Sequence, residues 1–213
     1  MTLNLYPLLI PLAPLIAALI TALPFRHKIL PNYLFSWWLM IVSFLVSLLQ
    51  LARVIQEPEF NQIVLFSWGW SLLPEVAMSV DRLSSVMMVF ISGFGVLLYR
   101  YSVRYLQQDA GHDRYLTLFA LCISSLLFMV SCADFIMLFI FWQLLGWFLS
   151  LLSHNYLHGP TIKSSFRTFI ILRAGDLTFI AGIAIAHHLY GTLEFNLIFA
   201  RASIDQTIFK SHS

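Results

Sequence analysis

Apolar runs of about 20 residues, each long enough to cross the hydrocarbon core of a bilayer, recur along most of this 213-residue chain. Six are expected, at about 4–25, 33–54, 83–103, 114–132, 134–153 and 166–190. Only 10% of the residues are charged and 60% are apolar, whereas soluble domains run nearer a quarter charged. The sequence therefore predicts an all-α polytopic membrane protein forming a single membrane domain over 1–213, with the bilayer as its main partner. A formal charge of +2, scattered along the chain, is too weak a footprint for nucleic acid. The first run lacks a basic start and an A-x-A site, so it reads as a retained span rather than a cleaved signal.

Span one carries Pro7, Pro11 and Pro14. Membrane helices tolerate such prolines where neighbours satisfy the freed carbonyls, which predicts a bent, well-packed first helix. The connectors are short except Gln56 to Asp81. There "QIVLFSWGW" partly alternates and has Pro and Gly nearby, the pattern of a short β-hairpin lying on the membrane face. After about residue 190 only a tail is expected, over 191–213.

Lys and Arg placement sets the expected orientation. The first, third and fifth connectors with their edges hold Arg26, Lys28, Arg100, Arg104, Arg114, Lys163 and Arg167. The opposite side has Arg53, Arg82, Arg201 and Lys210, set against Glu57, Glu59, Glu75 and Asp81. This bias places both termini, the hairpin and the tail outside.

Charges inside spans cost at least about 2.5–3.5 kcal/mol each on insertion scales, so each needs a reason. Arg173 and Asp176 stand at i and i+3 on one helix face, close enough to pair. The pair is either a structural ion pair or a polar node on an ion path. Gln143, between Trp142 and Leu144 in span five, is either an interhelical hydrogen-bonding amide or a site on the same path. His154 and His158 have the i, i+4 spacing of metal ligands but fall at the end of span five, which reads as an interfacial pair able to take protons. His187 and His188 are adjacent and diverge around the helix. No nearby Cys or carboxylate completes either set, so neither metal nor haem is expected, and no other cofactor. Asp134 is expected at the outer mouth of the bundle, as a further proton site. Cys122 and Cys132 have no C-x-x-C spacing and read as packing residues. No phosphate-binding loop, nucleophile elbow or triad is present, so no catalytic centre is assigned.

From Phe66 onward the order of features is distinctive. "FSWGW" precedes "MSVDRLSSVMMVFISGFGVLLYRYSVRYL", then "SCADFIMLFIFWQLLGW", "FRTFIILRAGDLTF" and "LYGTLEF". This series resembles the N-terminal half of the proton-channel subunits related to complex I subunit 5 (subunit L) and the large Mrp antiporter subunit. The stretch "WQLLGWFLSLLSHNYLHGPTIKSSFRTFIILRAGD" is more similar to DabB-type membrane subunits of bacterial inorganic-carbon pumps. The resemblance implies a subunit of an ion-gradient-coupled transporter in a bacterial inner membrane, within a multi-subunit complex. In the DabB branch that means inorganic carbon (bicarbonate or CO2) uptake with a zinc-containing soluble partner. The alternatives are a proton-translocating subunit of an NADH-quinone oxidoreductase or Mrp-type antiporter, and a truncated, non-conducting scaffold. Arg173 and Asp176 match the family's R-x-G-D and look like a polar node kept ionised by mutual pairing. Two departures stand out. The complex I branch has glutamate where this chain has Gln143, and the family's lysine-bearing broken helices are expected beyond Ser213.

Overall fold

The computed structural model describes residues 6–22, 32–56, 61–66, 76–106, 111–153 and 159–211. A 3-10 turn over Tyr6–Leu8 leads into α1 (Leu9–Ala22), followed by α2 (Asn32–Gln56). An antiparallel hairpin, β1 (Asn61–Phe66) and β2 (Val76–Val80), separates α2 from α3 (Arg82–Tyr105). Four more helices complete the chain: α4 (His112–Val130), α5 (Phe135–Ser153), α6 (Gly159–Tyr190) and α7 (Phe195–Ser211). Among the described residues five helices are long and apolar enough to cross a membrane, and Tyr6–Ala22 is a shorter apolar helix. The chain is an all-α polytopic membrane protein with one small hairpin.

Helices α1 to α4 form the packed part of the molecule. α1 lies against both α2 and α4, and α3 closes the far side against the same two helices. Ile10, Met40, Met88, Tyr99, Leu116 and Leu127 supply its buried centre. Hydroxyls join the helices where apolar attraction has little meaning in lipid. Pro14 has no N–H to give the carbonyl of Ile10 one turn earlier, and Ser43 of α2 donates to that carbonyl at 2.6 Å. Ser124 of α4 donates to the next carbonyl, Pro11, at 2.9 Å, while Ser47 and Ser92 join α2 to α3 at 2.9 Å. Ser43 is thus a neighbour that satisfies a carbonyl freed by a proline of the first helix.

The hairpin forms where alternation predicts it, with Asn61 opposite Val80 and an irregularity between Val64 and Phe66. The "SWGW" part of that reading lies outside the described residues. β2 runs directly into α3 through a capping box. Asp81 accepts from the Ser84 N–H at 2.7 Å, and the Ser84 hydroxyl accepts from the Asp81 N–H at 2.8 Å. The "MSVDRLS" stretch is therefore a strand-to-helix joint.

Helices α5 to α7 are laid on this bundle loosely. α5 packs on α4, α6 chiefly on α5, and α5 has no buried residue. Along Phe169–Tyr190 the half-buried positions 169, 173, 176, 179, 183, 186 and 190 form one stripe, and the rest are exposed where described. α7 occupies the segment from which the sequence predicts only a tail. Its 17 residues are too few and too polar to register as a span.

Candidate polar site between α5 and α6

The half-buried stripe of α6 carries both intramembrane charges toward α5. Arg173 and Asp176 pair through Nη1 and Oδ2 at 2.9 Å. The remaining carboxylate oxygen, Oδ1, accepts the indole N–H of Trp142 from α5 at 3.0 Å. Both oxygens of Asp176 are thus engaged, one from its own helix and one from the neighbour.

The Arg173 side chain is half-buried, about a quarter exposed. Its Cζ lies 4.9 Å from the Phe169 ring centre and 5.6 Å from that of Trp147, two rings that meet edge to face with centres 5.2 Å apart and so offer cation–π contacts from one side. Nη2 makes a long 3.5 Å contact with the main-chain carbonyl of Gln143, and Nε has no partner among the described residues. The group fits because position 146 is glycine. A Cβ there would stand 2.7 Å from Nη2. Trp142 is fixed in turn by an edge-to-face contact with Phe179, centroids 6.2 Å apart.

The structure brings Arg173, Asp176 and Gln143 together, but Gln143 contributes its main-chain carbonyl, and its side-chain amide has no partner among the described residues. Sequence reasoning missed Trp142 and Gly146. The available signals were an indole beside the polar residue and a glycine one turn beyond it, both on the strip facing Arg173. Asp134 lies away from this site, in the turn before α5, and is buried rather than at an open mouth. Its own chain folds back over it there, a closure that no span count contains. His154 and His158 lie outside the described residues. His187 and His188 are exposed on the last turn of α6. Among the described residues no three His, Cys, Asp or Glu side chains converge as metal ligands.

A cavity of about 880 Å³ opens beside the node. Its wall runs from Ser79 and Asp81 at the hairpin end, past Cys132, to Trp142, Gly175 and Asp176 at mid-helix. Most of that wall is apolar, so Asp176 is the charged group at its inner end. The arrangement positions a carboxylate midway along α6, held by two donors and lining the cavity.

Residues 71–116 match the family model described as NADH-ubiquinone oxidoreductase (complex I), chain 5 N-terminus. Over those residues the chain is similar to complex I chain 5. The matched residues contain β2, the Asp81 capping box, α3 and the start of α4, and thus frame the bundle rather than the node. A protein named probable inorganic carbon transporter subunit DabB1, of Halothiobacillus neapolitanus, is 31% identical over 202 residues, covering 92% of this chain and 34% of its own length. The chloroplast NAD(P)H-quinone oxidoreductase subunit 5 of Zygnema circumcarinatum is 29% identical over 210 residues, 94% of this chain and 30% of its own. The chain thus spans about a third of the length of the curated proteins it matches. A chain in the structure of the membrane-bound sulfane sulfur reductase, an archaeal respiratory membrane complex, superposes with a TM-score of 0.75 at 20% identity. The superposition covers 90% of this chain and 39% of that one, and establishes the shared fold.

Proposed function

We propose that this chain is a membrane subunit of an ion-gradient-coupled transporter of the DabB kind, serving inorganic carbon uptake together with a soluble, zinc-containing partner. The observation that carries the reading is the Arg173–Asp176 pair at mid-span, tied to α5 by Trp142, in a chain alignable over 92% of its length with DabB1. An intramembrane pair lined up with a cavity is retained at a cost that packing alone does not require. In this reading Asp176 is an ion-path residue and Arg173 positions it, while Gln143 contributes to the path only through its carbonyl. His154 and His158 are peripheral proton sites, and Asp134, buried in the turn before α5, is a further one. The membrane is a bacterial inner membrane, with both termini and the hairpin outside. A cysteine introduced at Gln62 is then labelled by an impermeant maleimide from the outer side.

The alignment with quinone oxidoreductase subunit 5 over 94% of the chain supports a second reading, a proton-translocating subunit of a respiratory complex. Uptake separates the two. Cells producing this protein with the soluble product of its neighbouring gene should accumulate labelled bicarbonate in a protonophore-sensitive way. Accumulation should be lost in Asp176→Asn at matched membrane levels. NADH-driven quinone reduction without bicarbonate uptake would instead select the respiratory reading.

A further inference from the structure

A second buried carboxyl group lies at the hairpin end, away from the α5–α6 node. Asp134 is 1% exposed and sits in the turn between α4 and α5, one residue before the span begins. That turn is the middle segment of a small backbone patch. On one side Ser79 donates its N–H to the Ser131 carbonyl at 2.8 Å, and Ala133 donates to Ala77 at 3.2 Å, which joins the turn to β2. On the other side Phe135 donates to Leu193 and Phe195 donates to Ala133, both at 3.1 Å, which joins it to the turn between α6 and α7.

The second junction pairs Asp134 with Glu194 as an antiparallel bridge. Directly opposed residues in such a bridge project to one face with Cβ atoms about 4.5–5.5 Å apart, so two carboxyl groups confront each other. Glu194 is half-buried. One oxygen of Asp134, Oδ1, accepts the Met137 N–H at 2.7 Å, and the other, Oδ2, is fully buried with no partner among the described residues.

Two carboxylates so placed repel, and an unpartnered ionised oxygen out of water adds a desolvation cost. One proton relieves both. We infer that Asp134 and Glu194 form a proton-binding pair, in which a single proton on Asp134 lets the α6–α7 turn close onto the α4–α5 turn. Burial, and then the Glu194 charge, raises the Asp134 carboxyl above its ordinary range, against the lowering pull of the Met137 and Ile136 N–H groups. The Cys132 thiol, from the same turn, is pushed up to about 12 and stays neutral. β2 offers only Ala77, Met78 and Ser79 at this junction, and α7 offers the Phe195 ring, stacked edge-on to Phe135 at 4.7 Å.

The closure matters because α6 leans only lightly on α5. Its end is held by this bridge and by Arg201 donating to the Tyr190 carbonyl. A group whose folded-state pKa is raised favours closure at pH below that value and loses it as pH rises through it. The bridge therefore binds α6, and with it Asp176, more tightly at lower pH. This inference stands whether or not the chain transports anything.

The test uses the full chain in lipid nanodiscs. Infrared spectra are recorded against pH, together with amide exchange at Phe135 and Phe195 corrected for intrinsic rate. The wild type should show a protonated carboxyl band that titrates above the ordinary carboxylate range, with amide protection lost as the band disappears. Asp134→Asn keeps a capping side chain and should remove the band while making protection independent of pH. Glu194→Gln removes the opposing charge and should move the band's midpoint to lower pH. No band above the ordinary range, or a midpoint unmoved in Glu194→Gln, overturns the pair. Should Asp134→Asn fail to fold, the Glu194→Gln midpoint decides alone.

Discussion

Trp142 on α5 donates its indole N–H to Asp176 on α6 at 3.0 Å. Apart from the long contact between Arg173 and the Gln143 carbonyl, that bond is the polar tie between the two helices among the described residues. A hydrogen bond to a charged group contributes about 1.5–3 kcal/mol. Trp142 is 46% exposed, which points to the lower end. Trp142→Phe keeps the ring against Phe179 and removes only the donor. It should lower the unfolding free energy in mixed micelles by about 1–2 kcal/mol, and by distinctly less when Asp176 is already Leu. Equal costs in the two backgrounds would mean that the indole does not serve the carboxylate.

Removing the carboxylate tests the pair itself. Asp176→Asn leaves Arg173 with its two aromatic neighbours and one long carbonyl contact. Losing one partner of a buried pair typically costs about 3–5 kcal/mol. Membrane levels and the unfolding midpoint should both fall, and Arg173→Leu combined with Asp176→Leu should recover part of the loss. Normal accumulation of both variants would show that the pair is not desolvated.

Gly146 gives a third handle on the same group. A methyl placed there meets Nη2 of Arg173 at 2.7 Å, so the guanidinium must leave the Gln143 carbonyl. Overpacking of this kind costs about 1–3 kcal/mol. Because the obstacle is the far end of a flexible side chain, Gly146→Ala should sit near 1 kcal/mol, and Gly146→Leu should cost more. The loss should vanish when residue 173 is Leu. Persistence of the loss would locate the crowding elsewhere.

The spans, the hairpin and the Arg173–Asp176 pairing were legible because each is a local pattern: hydropathy over about 20 residues, alternation, and i, i+3 spacing. Trp142 and Gly146 were not, because their roles depend on how α5 is rotated against α6. A helix with mean hydropathy this high and no buried residue gives no amphipathic signal from which to fix that rotation. Asp134 was misread for a different reason. Its burial comes from chain segments 55 residues before it and 60 after it (β2 around Ser79 and the turn at Glu194), and no window along the sequence contains both. The same distance hid the partner of Pro14, although the need for one was evident from the proline itself.

Ser43 and Pro14 supply the last prediction. The Ile10 carbonyl lacks its helical partner because Pro14 has no N–H, and Ser43 donates to it at 2.6 Å from a position that is 1% exposed. Ser43→Ala should therefore strand a carbonyl where no water reaches it. Polar contacts between membrane helices average about 0.6 kcal/mol and reach about 1.7 kcal/mol. A stranded buried acceptor lies toward the upper end of that range, so a loss of about 1–1.5 kcal/mol is expected. Pro14→Ala returns an N–H to the position that can serve Ile10 along the helix. In that background Ser43→Ala should cost less than half as much, because the carbonyl is no longer dependent on α2. Four unfolding midpoints in the same micelle close the cycle. A Ser43→Ala cost unchanged by Pro14→Ala would show that the serine stabilises α1 and α2 by some route other than the proline's orphaned carbonyl.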